Sequence, residues 1–378
     1  MKFTLYRPEE MSAEQWQIYA ALRDARSIYD DPFFDPDFAR LVGEVREDVR
    51  IGFVSDAQGV FAIWPLHVRP GNWARPIGAP FSDWNGPILS KDTRLSLSEL
   101  LGGFDISGFT TQGLMPVHGA PVGDLDRAGA HLTDLSAGWD AFFADQQKLW
   151  PKHFKKMRRV YRKVEREFSA SEFRWDDRTP ETFTCLFALK QAQYARTGYH
   201  DVLKAPWVKG LFERLRAYEG PRMRLRMVSL YFDDQYAAGE LNLQSDVVMH
   251  GWITAFEQAF GHYSPGNMLV QETLQKMSAE DLHIYDAGPG LDHYKRNYSN
   301  LQVPIDAGAI ISSARAITPA RMAGRAWSFG EQIMPGRTRA LMARARRRMD
   351  QIAATEMTFS GRAGGVLNAI SNRPVSSA

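Results

Sequence analysis

The apolar positions of this chain follow two periods, and each switch between them marks an element. In the first third, period-two stretches bounded by Gly, Pro, Asn and Asp predict strands at 3–6, 49–54, 59–68, 104–110 and 131–135, with 75–88 broken by Gly and Pro. A helix through Phe142 and Phe143 follows. From 150 to 168 the period is helical: Phe154, Met157, Tyr161 and Val164 form one stripe, while Lys155, Arg158, Arg159, Arg162 and Arg166 point away from it. Helices are predicted at 180–196 and 206–218, then three strands in meander order at 222–232, 235–244 and 247–256. An amphipathic helical run over 268–277 and a strand at 283–286 close the pattern. The expected class is α+β, a three-layer arrangement with mixed, largely antiparallel sheets.

With 378 residues, 44% hydrophobic and 12% aromatic, the chain can bury two ordinary cores. The expected division is 1–148, 149–310 and a tail over 311–378. No apolar run reaches the length of about 18 residues that a membrane helix needs, and the first residues lack the apolar core of a signal peptide, so a cytoplasmic protein is expected. The lone Cys185 excludes an internal disulfide, and within the apolar stretch 183–189 it reads as a small buried hydrophobe. The net charge of +2 conceals an asymmetry. From Ile311 onward there are eleven Arg, no Lys and three acids, so the tail carries +8 and the rest −6. Arginine without lysine favours forked recognition of phosphate or carboxylate, although a solvated helix face would also use it.

The segment Tyr263-Ser264-Pro265-Gly266-Asn267 opens the run that begins at Met268. Serine is a good N-cap, proline suits the first helical position, and glycine admits a ligand to the backbone, so this helix start is expected to cradle an anion.

Several pieces together resemble a known family: Asp31-Pro32-Phe33-Phe34, Trp64-Pro65-Leu66, Asp134-Leu135-Ser136 with Trp139, and the basic helix from Lys155 to Arg166. Tyr194-Ala195-Arg196, Tyr263-Ser264-Pro265-Gly266, and Asp286-Ala287-Gly288 followed by Tyr294-Lys295 complete the set. In order and spacing the chain resembles the cellulose-biosynthesis-type (CelD/BcsL-like) acetyltransferases of the GNAT superfamily, whose tandem GNAT-like architecture is similar to that of the FemABX peptidyltransferases. The resemblance spans roughly residues 30–300. It implies two tandem GNAT-like domains, acetyl-CoA as co-substrate gripped at 263–267, and no metal.

On that reading Glu240, Asn242 and Gln244 share one face of a strand and Leu241 and Leu243 the other, so a wet cleft is expected beside the polar row. Attack of an amine on a thioester needs a proton acceptor. Glu240 is the first candidate, against the alternative of a hydrogen-bonded glutamate facing solvent. Asp286, at a strand end before Gly288 and Gly290, is the second, or it caps the following turn. The resemblance implies that Tyr294 or Tyr298 protonates the departing thiolate, unless it only packs over the cleft. It also implies that Lys295 pairs with a phosphate of the donor or of a nucleotide- or lipid-linked acceptor. Arg158, Arg162, Arg196 and Tyr199 are acceptor-site candidates. The basic helix raises nucleic acid as a rival partner, which the acidic balance of the two-domain body disfavours.

In the tail, Thr318-Pro319 reads as a helix start and Arg321 and Arg325 share a helix face; Arg344 and Arg348 form a second pair. Such forks suit a cyclic dinucleotide such as cyclic di-GMP, or anionic lipid at the inner membrane beside polysaccharide synthesis machinery. The expected activity is acetyl transfer to an amino sugar of an exopolysaccharide, holdfast-type adhesins included, or to its nucleotide- or lipid-linked precursor. The alternatives are FemABX-like aminoacyl transfer, or a GNAT-like scaffold that binds a second messenger or membrane without chemistry.

Overall fold

In the computed structural model, which describes residues 1–116, 125–290, 293–313, 345 and 348–371, thirteen strands join in one sheet. They are β1 (Lys2–Tyr6), β2 (Val49–Asp56), β3 (Gly59–Arg69), β4 (Trp73–Pro76), β5 (Ile88–Leu89), β6 (Gly108–Leu114) and β7 (Asp126–Asp134). The others are β8 (Ser171–Trp175), β9 (Arg224–Phe232), β10 (Gln235–Gln244), β11 (Val248–Phe256), β12 (Ile284–Pro289) and β13 (Leu301–Ile311). Their order is β1-β2-β3-β4-β6-β13-β7-β12-β11-β10-β9-β8, with β5 on β3. Among the described strands only β4–β6 and β11–β12 pair in parallel, so the sheet is mixed and largely antiparallel, as expected.

Helices cover both faces. Those of the first half are α1 (Ala13–Asp24), α2 (Pro36–Gly43), α3 (Leu97–Gly103) and α4 (Trp139–Leu149); α5 (Pro151–Glu167), α6 (Pro180–Thr197), α7 (Pro206–Ala217), α8 (Pro265–Ala279), α9 (His293–Asn297) and α10 (Phe359–Ser371) follow. The strand period of two splits the core. Leu241, Leu243 and Ile253 are buried on one face with Leu186 of α6, Leu211 of α7 and Phe38 of α2. Ala238, Met249 and Tyr285 face the other way, against Phe154 and Val164 of α5 and Leu269 and Leu274 of α8. A third cluster, around Trp64 and Phe109, lies beneath α3.

Several local readings are corrected. The stretch 104–110 is not one strand: Ser96 and Glu99 form a capping box that starts α3, Phe104 terminates it, and β6 begins only at Gly108. β8 and β13 went unread. β8 is short and polar, and β13 contains Pro304, which falls before the β6 pairing starts at Asp306. Cys185 is exposed rather than buried, because the face of α6 that packs inward carries Thr182, Phe183 and Leu186.

The described C-terminal residues dock on the body. Arg75 pairs with Asp350 at 2.7 Å, the Trp207 indole N–H donates to the Thr355 carbonyl at 2.9 Å, and Arg69 donates to the Glu356 carbonyl at 3.1 Å. Ile352 and Ala354 are buried.

Candidate active site

The site lies where two parallel strands part. β11 and β12 pair at Val248 with Ile284, Met249 with Tyr285, and His250 with Asp286, and the register ends there. Just beyond, the β10 register jumps from Leu241–Ile253 to Asn242–Gly251, which leaves Trp252 as the extra residue of a bulge. A bulge bends its strand. The outcome is a wedge between β11 and β12 with different chemistry on its two faces.

On the α8 face stands Glu240, 3% exposed. The Tyr285 hydroxyl crosses from β12 to donate to its Oε1 at 2.9 Å, passing over Gly251 of the strand between. A Cβ at Gly251 would lie 2.5 Å from that hydroxyl and 3.1 Å from Oε1, so the bond needs glycine there. Burial pushes the Glu240 carboxyl up to about 7, opposed by the Tyr285 bond and by the charges of His250 and Lys295. A carboxyl poised there can take or give a proton near neutrality.

The opposite face carries a cluster that the sequence reading did not assemble. His250 is fully buried; its Nδ1 lies 3.1 Å from Asp286 Oδ2 and its Nε2 lies 3.1 Å from Asp83 Oδ2. The Trp84 indole N–H donates to the same Asp286 oxygen, and Asp31 Oδ2 lies 3.6 Å from Nδ1. Burial alone would lower the imidazole, but the Asp286 charge and the bonds to Asp286 and Asp83, with Asp31 nearby, hold it well above its ordinary value, as an imidazolium. Burial pushes Asp31 up, opposed by His250.

The structure brings some sequence candidates together and separates others. Glu240 and Asp286 both border the wedge, on opposite faces. Asp286 also fills its alternative role, since Oδ1 accepts the Gly288 N–H at 2.6 Å in the turn that follows. Lys295, 9% exposed, donates to the Pro289 carbonyl at 2.7 Å and bears on Glu240 electrostatically. Tyr294 is half-buried and close enough to act on the Tyr285 hydroxyl. Tyr298 is instead buried in the core beneath α5, against His153 and Phe154.

The expected wet cleft is corrected: Glu240, Asn242 and Gln244 are all buried, because α8 packs over that face. Arg158, exposed, is tied to Gln147, Arg162 is exposed, and Arg196 lies exposed in the last turn of α6, as does Tyr199 just beyond it. Of the tail candidates, Arg321, Arg325 and Arg344 lie outside the described residues, and Arg348 is half-buried.

The anion cradle is altered in detail. Ser264 occupies the N-cap of α8 in a left-handed conformation (φ 53°, ψ 49°), and its side chain makes no cap bond. The Asn267 and Met268 N–H groups both return to the Ser264 carbonyl, at 3.0 and 3.2 Å. The Tyr263 hydroxyl is committed to Glu167 of α5 at 2.7 Å, with Lys163 over its ring. Gly266 faces open space, since an added Cβ would meet nothing within 4 Å. A separate cavity of about 390 Å³ between α5 and α8, lined by Tyr161, Val164, Met268 and Glu272 among others, contains none of the wedge residues.

Residues 151–296, which include Glu240, His250, Tyr285 and Asp286, match the acetyltransferase (GNAT) domain family. No curated protein matches the chain by sequence. Among solved structures, the C-terminal domain of a putative lysylphosphatidylglycerol synthetase from Agrobacterium fabrum is similar at 11% identity and a TM-score of 0.50, over 81% of this chain and 99% of that one. A tandem GNAT protein from the clavulanic acid biosynthesis pathway is similar at 11% identity and a TM-score of 0.47, over 84% and 99%. FemX is similar at 10% identity and 0.46, over 69% and 87%. Identities this low speak to the fold alone. Residues 151–296 carry a GNAT-type acyltransferase fold.

Proposed function

We propose that the protein is an N-acyltransferase that moves acetyl from acetyl-CoA to the amine of an amino sugar, part of an exopolysaccharide or of its nucleotide- or lipid-linked precursor. The observation that carries this reading is a buried carboxyl, Glu240, poised at about 7 beside the wedge between β11 and β12. The donor's pyrophosphate would rest at the start of α8 near Gly266, where the helix dipole is positive and the space is open. The acceptor nitrogen attacks the thioester carbonyl, and a C–N bond forms as the tetrahedral intermediate develops. The proton lost from nitrogen passes through the Tyr285 hydroxyl to Glu240; the C–S bond then breaks, and Tyr294 donates a proton to the departing thiolate. Lys295 adds positive charge near the developing oxyanion.

Glu240→Gln keeps the shape and removes the acceptor. It should lower turnover roughly 10²-fold while leaving acetyl-CoA affinity nearly intact. Retained turnover would move the base to Asp286, for which Asp286→Asn is the next variant.

A second reading, aminoacyl transfer from a polyanionic carrier, is favoured by the exposed basic face of α5, where Lys155, Arg158, Arg159, Arg162 and Arg166 all meet solvent. A thermal-shift comparison of acetyl-CoA with aminoacyl-tRNA separates the two, since a ligand stabilises with the logarithm of its saturation.

A further inference from the structure

Asp31, Asp83, His250 and Asp286 set three carboxyl groups around one imidazolium; even with Asp31 pushed toward its neutral form by burial, the carboxyls of Asp83 and Asp286 outnumber the imidazolium, and the chemistry above leaves this balance unexplained. Asp31 and Asp83 come from the first half of the chain; His250 and Asp286 come from β11 and β12. Asp31, His250 and Asp286 are all buried, whereas the side chain of Asp83 is 34% exposed and is the end of the cluster that meets solvent. Asp31 Oδ2 is buried without a hydrogen-bond partner, although it lies 3.6 Å from His250 Nδ1. Buried carboxylates in excess of cations are costly, so such a cluster favours uptake of a cation through its open end.

We propose that Asp83 seats the ammonium group of the acceptor, with the His250–Asp286–Asp31 cluster behind it, so that the protein selects cationic amines over neutral analogues. The assignment rests on the N-acyl transfer proposed above. Its place in the fold agrees: His250 and Asp286 project to the face packed by α6 and the first half, opposite the α8 face where the donor's phosphates are placed. Gly288, at φ 73°, brings the backbone close enough that a Cβ there would sit 3.0 Å from Asp83 Oδ2, so the turn after Asp286 also shapes the seat. Asp286 is a poor competitor for the cation, because it already accepts from Trp84, His250 and Gly288. The other possible source of positive charge is a divalent ion replacing the Nδ1 proton between Asp31, His250 and Asp286, whose ligand atoms all lie within 4.8 Å of one another.

The test is calorimetric titration of the full chain and of Asp83→Asn with two amines, glucosamine and n-butylamine, and their neutral counterparts, glucose and n-butanol. Acetyl-CoA is titrated in parallel. The proposal predicts at least tenfold tighter binding of an amine than of its counterpart, loss of that preference in Asp83→Asn, and unchanged acetyl-CoA binding in the variant, which also reports that it is folded. No preference for either amine, or the same preference in Asp83→Asn, overturns the seat. Tight Zn²⁺ or Mn²⁺ binding that Asp31→Asn abolishes, without an amine preference, also overturns it and assigns the cluster to a metal. Amine preference without acetyl-CoA binding by the wild type would leave the seat standing and remove the transferase reading instead.

Discussion

Burial of Glu240 ties the chemistry to the stability of the fold. Raising a carboxyl from its ordinary 4.5 to about 7 corresponds to on the order of 3 kcal/mol between its protonation states. Because the folded value lies above the unfolded one, the favourable contribution is complete below 4.5 and is lost as pH rises through 7. Glu240→Gln carries no such term. Urea denaturation at about pH 5 and about pH 8 should therefore show the variant gaining on the wild type as pH rises; a gap that stays constant would place Glu240 in a more solvated setting. Both Glu240 and Asp286 were legible in the sequence, one from the alternation of its strand and the other from the glycines after it. His250 was not, though a histidine within the mostly apolar strand 248–256 was the available signal. Asp31 and Asp83 could not be paired with it, because contacts at separations of 167 residues and more leave no local trace.

Among the elements, α8 and its approach were read correctly in outline and wrongly in mechanism. Proline at the first helical position and the apolar run behind it were enough to predict the helix. The left-handed Ser264 was not predictable, since serine is ordinarily an extended N-cap whose side chain bonds the next turn. The proposed donor role therefore rests on Gly266 and on the helix dipole. Open space at Gly266 makes Gly266→Asp a clean electrostatic test: the carboxylate meets no steric obstacle and opposes a bound pyrophosphate. Acetyl-CoA affinity should fall by at least an order of magnitude by calorimetry; unchanged affinity would place the donor elsewhere. The three-strand meander, 224–256, was legible because alternation and turns agree there. β13 was not, since Pro304 and Gly308 both argue locally against a strand that long-range pairing nonetheless forms.

Across the chain, one continuous sheet joins the halves, and the Asp286 face of the wedge is built from both. The tail is partly integrated as well: Asp350, Thr355 and Glu356 dock on Arg75, Trp207 and Arg69 of the body, and Ile352 is buried. A shortened chain should end after Ser313, beyond β13, because an end near Gly308 would remove residues that pair with β6. Losing the docked segment is expected to lower the melting temperature by several degrees, for a cost of about 1–3 kcal/mol. We further propose that the full chain binds cyclic di-GMP through its tail, Arg321 and Arg325 included, and that the shortened chain does not. Equal binding by both would exclude the tail as the sensor, and co-sedimentation of the full chain alone with anionic vesicles, without nucleotide binding, would favour a membrane role.

The central claim, amine-dependent acyl transfer with Glu240 as the proton acceptor, is tested most directly by the rate at which free thiol appears from acetyl-CoA with an amino sugar present, followed from about pH 5.5 to about pH 8.5. The predicted wild-type rate rises about tenfold per pH unit and levels near 7, the value set by burial of Glu240, while Glu240→Gln is slow and lacks that inflection. Thiol release that does not depend on the amine, or an inflection near 7 that survives in Glu240→Gln, would contradict it.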